Sequence, residues 1–491
     1  MEMEELNDQL YSIRPLNPRE ASYIYSPSHT VFALSVLLPS PLKELRPSVQ
    51  PSLDKLAKTY GLLSATIHKV KGGHGSSEFV FLDHSKSPTP TSVTYIDLDP
   101  AKLSDPSAEM SEASATGILQ DVAAHECDIP FDLSKSLFRV IVQDLGTYSG
   151  VVFLFAHTVA DGKFGMEVLR SWLEYLSSEM SNADVRDVRE VPTLFTDLSP
   201  PGYDGVAGWI RYVIALAALI FWTLFNKPIS NTILEHAQTT SNKQMERGID
   251  PDAPWSLPRV RSTSATAHLV LNEKQTSSLI RKAKDTGVSL TTLLACLLSE
   301  SVHRAERRDN SSSSPTPQPH LAALATDTRP SIRPPITSAT PGAYNGVLIL
   351  RFPATPKTLH TQIRSRMHRG EGILSHRFVS TAPGKLDPAL ISPVAPKSFP
   401  PICFTFSNLG NYIFEFGNPK TKPIVTMFSC SVSVGHGAPF NVHAVTVNGK
   451  LFLEVAADEI WIGKGRVRAV MRDIESRLED LISGAEKATE E

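Results

Sequence analysis

The chain has 491 residues, 41% of them hydrophobic and 20% charged. That is enough apolar material for a sizeable core and excludes a disordered chain. Lysine and arginine total 48 against 51 acidic residues, a net charge of -3, so the chain lacks the basic field of a nucleic-acid binder. Cys127, Cys296, Cys403 and Cys430 stand far apart without a CxxC pair. They read as buried thiols in a reducing, cytoplasmic compartment rather than as a disulfide framework. The acidic start MEMEELNDQL has neither the basic and apolar regions of a secretory leader nor the arginines of a transit peptide.

At about 150 residues per domain the length predicts roughly three units or one large two-lobed body. Stretches rich in Pro, Ser and Thr at about 84–101, 190–202, 227–262, 309–320 and 381–401 read as connectors. The longest of them marks the main boundary. It divides an N-terminal lobe, 1–202, from an apolar helix and linker, 203–262, and a C-terminal lobe, 263–491. In the first lobe Leu137 to Gln143 and Val151 to Ala156 are short, apolar and rich in β-branched and aromatic residues, as suits strands buried on both faces. Residues 163–178 then switch to helical spacing, with Phe164, Val168, Leu169, Trp172, Leu173 and Leu176 on one stripe.

The second lobe opens with a strand from Ala265 to Leu271. Asn272 suits a helix N-cap with Gln275 at the capping-box position, and Gly287 suits the C-terminus. Ser289 is placed to cap the next helix, whose apolar face carries Leu290, Leu293, Leu294, Leu297 and Leu298. A strand follows at Ile402 to Phe406, and a last helix spans about 465–483. Strands alternate with helices in both halves, so the class is α/β, or mixed α+β, in two lobes.

There is no GxSxG elbow, no GxxxxGK[ST] loop, no GxGxxG and no HExxH, and the 15 histidines do not pair with cysteines at zinc-finger spacing. No metal is implied. The informative segment runs from Val151 through His157-Thr-Val-Ala-Asp161-Gly162. A buried apolar strand ends in a histidine, and a helix opens a few residues later. A strand-held imidazole at the open end of a sheet has the rigidity a general base needs, and a ring with an ordinary pKa near 6.5 is mostly neutral at pH 7. Asp161 is placed to hold the loop through a distant cation. Gly162 allows backbone angles for a sharp turn. The alternative is a strand-end turn, for which Asp-Gly is a common pair.

His157-Thr-Val-Ala-Asp161-Gly162 resembles the HxxxDG signature of the chloramphenicol-acetyltransferase-like superfamily of CoA-dependent acyltransferases, which includes the BAHD and condensation-domain branches. Its flanks, Asp132-Leu-Ser-Lys-Ser-Leu-Phe-Arg139, with Thr326-Asp-Thr-Arg329-Pro330 and Phe404-Thr-Phe-Ser-Asn-Leu-Gly410 further on, resemble the alcohol acetyltransferase family over about residues 12 to 484. That resemblance implies two lobes, each a mixed sheet with flanking helices, and a tunnel between them. It makes His157 the general base, with no covalent acyl-enzyme. Asp161 is then structural, paired with Arg329 or, alternatively, Arg139, and Gly162 belongs to the tight turn. Ser407 and Asn408, at the end of the strand from Ile402 to Phe406, become candidate oxyanion donors, the alternative being a strand-ending turn. An intact Asp-Phe-Gly-Trp-Gly of the plant-type branch is missing. Position 156 is alanine where condensation domains read His-His, which favours free CoA thioesters.

The expected activity is an acetyl-CoA-dependent O-acetyltransferase of secondary metabolism, acting on an apolar alcohol or hydroxylated natural product. Acetyl-CoA is a co-substrate rather than a bound cofactor, and the residues that contact CoA are not assignable from a motif. N-acylation of a long-chain or aromatic amine is the runner-up. A non-catalytic ligand-binding protein that kept the fold is the reading from another class. A monomer without nucleic-acid partners is expected. The apolar run 206–225 has an uninterrupted part, Tyr212 to Phe225, of 14 residues, short of the roughly 20 that span a bilayer. It reads either as a buried or lid helix or as a helix lying in an internal membrane surface.

Overall fold

In a computed structural model of the chain, the described residues are 12–15, 31–71, 77–83, 92–97, 110–129, 131–181, 264–309, 320–331, 336–372, 402–414, 438–459 and 462–490, together with Ile210 and Val213. They form three sheets. A small antiparallel one joins β1 (Ser12–Pro15), β4 (Ser77–Asp83) and β3 (Thr66–Lys71). The sheet of the first lobe runs in the order β2 (Val31–Leu38), β7 (Tyr148–Ala156), β6 (Phe138–Leu145), β5 (Ser92–Ile96). Only the β5–β6 pair in it is parallel.

The strands β2, β6 and β7 are buried on both faces because helices cover each side. Phe153 packs edge-on against Trp172 of α3 (Gly162–Ser181), which lies beside α1 (Leu42–Thr59). On the other face Gly150 lies so close to Leu119 of α2 (Glu112–Cys127) that a Cβ would come within 2.5 Å of it. The expected strands and the helix after the motif are all present, each a little longer than its apolar pattern. The stretch 84–101, expected to be a connector, instead contains β5: Val93, Tyr95 and Ile96 pack against the core despite their Pro and Ser flanks.

The second lobe has a six-stranded mixed sheet, β10 (Asn345–Phe352), β9 (His320–Asp327), β11 (Ile402–Tyr412), β12 (Phe440–Val447), β13 (Lys450–Asp458), β8 (Ser264–Leu271). Its pairs β9–β11 and β11–β12 are parallel. The helices α4 (Glu273–Asp285), α5 (Leu290–Asp309), α6 (Pro356–His368) and α7 (Lys464–Glu490) belong to this lobe. Asn272 and Gln275 form the capping box at α4, and Ser289 accepts from Thr292 N at α5. Gly287 has φ 72°, a left-handed angle that ends α4 without a Cβ penalty. Cys127, Cys296 and Cys403 are buried, and burial pushes the Cys296 thiol up to about 12. Cys430 and the connectors 190–202, 227–262 and 381–401 lie outside the described residues.

Alternation along the second sheet separates its two faces. Phe404, Phe406, Phe440, Val442, Ala444, Leu453 and Val455 belong to the lobe's own core under the helices. Leu409, Val445, Val447 and Phe452 point the other way and join the first lobe's core. One face of the second sheet is therefore the seam between lobes. Asp128, just past α2, clasps this seam by accepting from Ser264 N at 2.8 Å and Ser264 Oγ at 2.6 Å. Among the described residues no helix is long and apolar enough to cross a membrane. Of the run 206–225 only Ile210 and Val213 are described, both helical and exposed.

Candidate active site

The strand β7 ends at Ala156, whose N–H donates to Leu137 O at 2.9 Å, and His157 follows on a half-buried turn. Phe32 of β2 stands edge-on to the imidazole with centroids 5.3 Å apart, so the ring is braced by an aromatic wall on one side. Thr158, Val159 and Ala160 are buried, and Ala160 makes a parallel bridge with Gly342 of the second lobe. The turn after His157 is thus built into the seam.

Asp161 caps α3: its Oδ1 accepts from Phe164 N at 2.9 Å, and its carbonyl accepts from Gly165 N. A short polar acceptor at this position satisfies N–H groups that the first helical turn leaves open. The same carboxylate accepts from Arg329 Nη1 at 2.8 Å, Arg329 Nη2 at 3.2 Å and Tyr344 N at 2.7 Å. Both oxygens are occupied, and Asp161 and Arg329 are only 4% and 2% exposed. Burial opposes ionisation of Asp161, but the Arg329 charge and these hydrogen bonds outweigh it and hold the carboxyl below its usual range.

Arg329 also faces Asp327 at 3.4 Å, the carbonyls of Thr340 and Gly342, and the Tyr344 ring. Nearby, Lys163 pairs with Asp327 at 3.0 Å and Ser338 donates to Glu167 at 2.9 Å, so the N-terminal half of α3 is locked to the second lobe. Arg139, the alternative partner for Asp161, is elsewhere: it donates to the carbonyls of Glu126 and Ile129 at the end of α2 and lies over Phe131.

Gly162 serves a different purpose from the one its turn position suggests. It lies outside the left-handed region among the described glycines, so no special backbone angle requires it. A Cβ there would instead come within 2.6 Å of Leu409 Cδ2. The glycine admits β11 of the second lobe to the start of α3.

The two expected oxyanion donors are separated by the sheet. β11 does not end at Phe406 but continues to Tyr412, so Ser407 and Asn408 are consecutive strand residues on opposite faces. Asn408 lies on the helix side, where its Nδ2 donates to Thr291 Oγ1 at 3.0 Å and its Oδ1 accepts from Gly410 N at 3.0 Å. Both ends of that amide are engaged away from the seam, beside the register shift between Asn408 and Asn411. Ser407 shares the seam face with Leu409, the neighbour of Gly162. Its register partner on β12 is His443, a buried residue without a role in the motif reading. Among the described residues no cluster of His, Cys, Asp or Glu has the arrangement to hold a metal ion.

No protein-family model matches the chain. No curated protein matches it in sequence. Solved structures match it in fold. A trichothecene 15-O-acetyltransferase from Fusarium sporotrichioides aligns with TM-score 0.60 and 8% identity over 96% of each chain. Polyketide synthase associated protein 5 from Mycobacterium tuberculosis aligns at 0.57 and 14% identity, over 96% of this chain and 99% of its own. The epimerization domain from the third module of tyrocidine synthetase B aligns at 0.56 and 14%, over 98% of both chains. The fold is the two-lobed one that acetyltransferase and condensation-type domains share.

Proposed function

We propose that the chain is a CoA-dependent acyltransferase that acetylates a hydroxyl group of an apolar alcohol or hydroxylated natural product, with His157 as the general base. The observation that carries this reading is the division of labour at the motif. Asp161 spends its hydrogen-bonding capacity on Arg329, Phe164 N and Tyr344 N, which leaves the half-buried imidazole of His157 as the motif's group for proton transfer. In the reaction a ring nitrogen of His157 takes the acceptor's O–H proton as the oxygen attacks the thioester carbonyl. The tetrahedral adduct then collapses, the C–S bond breaks, and the proton passes to the departing CoA thiolate. A positioned base contributes about 10²–10⁴ to the rate. Ser407, on the seam face, is the polar group of β11 offered to the oxyanion. The likeness in fold to an O-acetyltransferase supports acyl transfer to oxygen, and Ala156, in place of a second histidine before the motif, favours a free CoA thioester.

The test is thiol release from acetyl-CoA with a panel of apolar alcohols and amines. Release that depends on an acceptor, and drops about 10² or more in His157→Ala, is the expected result. A variant as fast as the wild type would remove His157 from the chemistry. An amine as the best acceptor would replace O-acylation by N-acylation.

A further inference from the structure

Four polar residues lie side by side across the seam face of the second sheet. Ser407 of β11 is in register with His443 of β12, His443 with Glu454 of β13, and Glu454 with His268 of β8. Directly opposed residues on neighbouring strands have Cβ atoms about 5 Å apart, so the four form one continuous row. Elsewhere on this face the second lobe offers Leu409, Val445, Val447 and Phe452 to the first lobe's core. Apolar packing therefore joins the lobes at that level, and the polar row lies at the level of Ser407, two residues up the strand from the contact with Gly162, with Thr405 and Asn441 hydrogen-bonded to each other in the next row. His443 and Glu454 are 7% and 1% exposed.

We infer that His443 is a second functional imidazole of the site: a neutral ring that donates a hydrogen bond, together with Ser407, to the oxyanion formed opposite His157. This rests on the acyl-transfer reading above. Burial first, and then the charge of nearby His157, push the His443 imidazole down to about 3. Burial alone pushes His268 to about 4. The Glu454 carboxyl group lies 3.9 Å from His268 Nδ1 with its side chain fully enclosed. Neutrality of both rings is the less costly state in so dry a site. A neutral His443 ring carries one N–H, and the register with Ser407 puts that ring on the seam face. A charged His443 would oppose the proton that His157 has to accept, whereas a neutral ring polarises the carbonyl without that penalty. The proton stays on His443 throughout, and only the hydrogen bond strengthens as charge develops on the oxygen.

Thiol release from acetyl-CoA, with water as acceptor where no alcohol is better, distinguishes the outcomes. His443→Leu lowers kcat about 10²–10³-fold, the usual cost of one oxyanion donor, with KM for acetyl-CoA within about threefold. His443→Gln, which restores an N–H donor but cannot act as a base, recovers to within about tenfold of the wild type. Full activity in the leucine variant, or a folded glutamine variant as slow as the leucine one, overturns the assignment. Should the leucine variant fail to fold, the imidazole ¹⁵N shifts of wild-type His443, assigned by their loss in His443→Gln, decide it at pH 5. A neutral ring is expected there, and a protonated ring overturns the inference. A wild type that releases no thiol, or an unimpaired His157→Ala, removes the acyl-transfer reading and this one with it. An inactive His157→Ala beside a fully active His443→Leu removes this one alone.

Discussion

Two buried polar groups sit at the same seam and are built on opposite principles. Asp161 and Arg329 are both charged, and the carboxylate is saturated by the guanidinium and two backbone N–H groups. His443, Glu454 and His268 are at least as enclosed at their centre, yet burial drives both rings toward neutrality. Similar burial has opposite outcomes: the Arg329 charge and its hydrogen bonds hold Asp161 ionised, whereas burial keeps the two rings neutral. A carboxylate with a dedicated arginine repays its desolvation, while an imidazole buried without such a counter-charge does not. The first group is a clamp with no capacity left for a ligand. The second keeps polar atoms at the face where His157 meets the second lobe.

Breaking the clamp has the largest expected effect. Asp161→Asn preserves shape but leaves Arg329 buried with, among the described residues, only Asp327, at 3.4 Å, as an anionic partner. Loss of one member of a buried pair costs about 3–5 kcal/mol, read as a lower midpoint in urea unfolding. A loss under about 1 kcal/mol would mean that Asp327 alone holds the guanidinium.

The two groups also lose stability in different pH windows. The folded pKa values of His268 and His443 lie below the ordinary 6.5, so the unfolded chain binds protons there that the folded chain refuses. Their contribution is complete above about 6.5 and is lost as pH falls toward about 4 and 3. Between pH 7 and 5 each ring costs about 2 kcal/mol. Asp161 is also depressed, but from 3.8, so the clamp holds at pH 5 and weakens only below that value. Unfolding at pH 7 and 5 should show His268→Gln losing about 2 kcal/mol less than the wild type. An identical loss in both would mean that His268 is protonated in the folded protein.

The difference between the groups also marks how far the chain could be read without coordinates. His157, Asp161 and Gly162 fall within six consecutive residues, so strand, turn and helix periodicity located them. The capping box at Asn272 and Gln275 was legible for the same reason. Asp161 and Arg329 are 168 positions apart, and only the resemblance to a known signature joined them. The row from Ser407 to His268 was invisible, because it exists only in the register of four strands drawn from three distant segments. The sequence signal for β11 stops at Phe406, because Ser-Asn reads as a strand-ending turn. β5 carries little strand signal, because its apolar residues are few and flanked by Pro and Ser. The glycine at 162 looked like a conformational requirement, since its neighbour Leu409 lies on another lobe.

The smallest effect is expected from the residue that motif reasoning placed nearest the oxyanion. Asn408 joins β11 to Thr291 of α5 and to Gly410 N, so Asn408→Ala should cost about 1 kcal/mol, the net worth of a part-buried hydrogen bond. Its side chain lies on the helix face of the sheet, one residue and one face away from Ser407. Thiol release should therefore stay within about twofold of the wild type once the protein is folded, since a lost oxyanion donor costs about a hundredfold or more. Measured beside His443→Leu, Asn408→Ala gives the sharper form of the comparison: stability falls on one face of the second sheet, and turnover on the other. A tenfold or larger loss of kcat in Asn408→Ala, with KM unchanged, would mean that β11 turns over during catalysis and that Ser407 and His443 do not mark the oxyanion side.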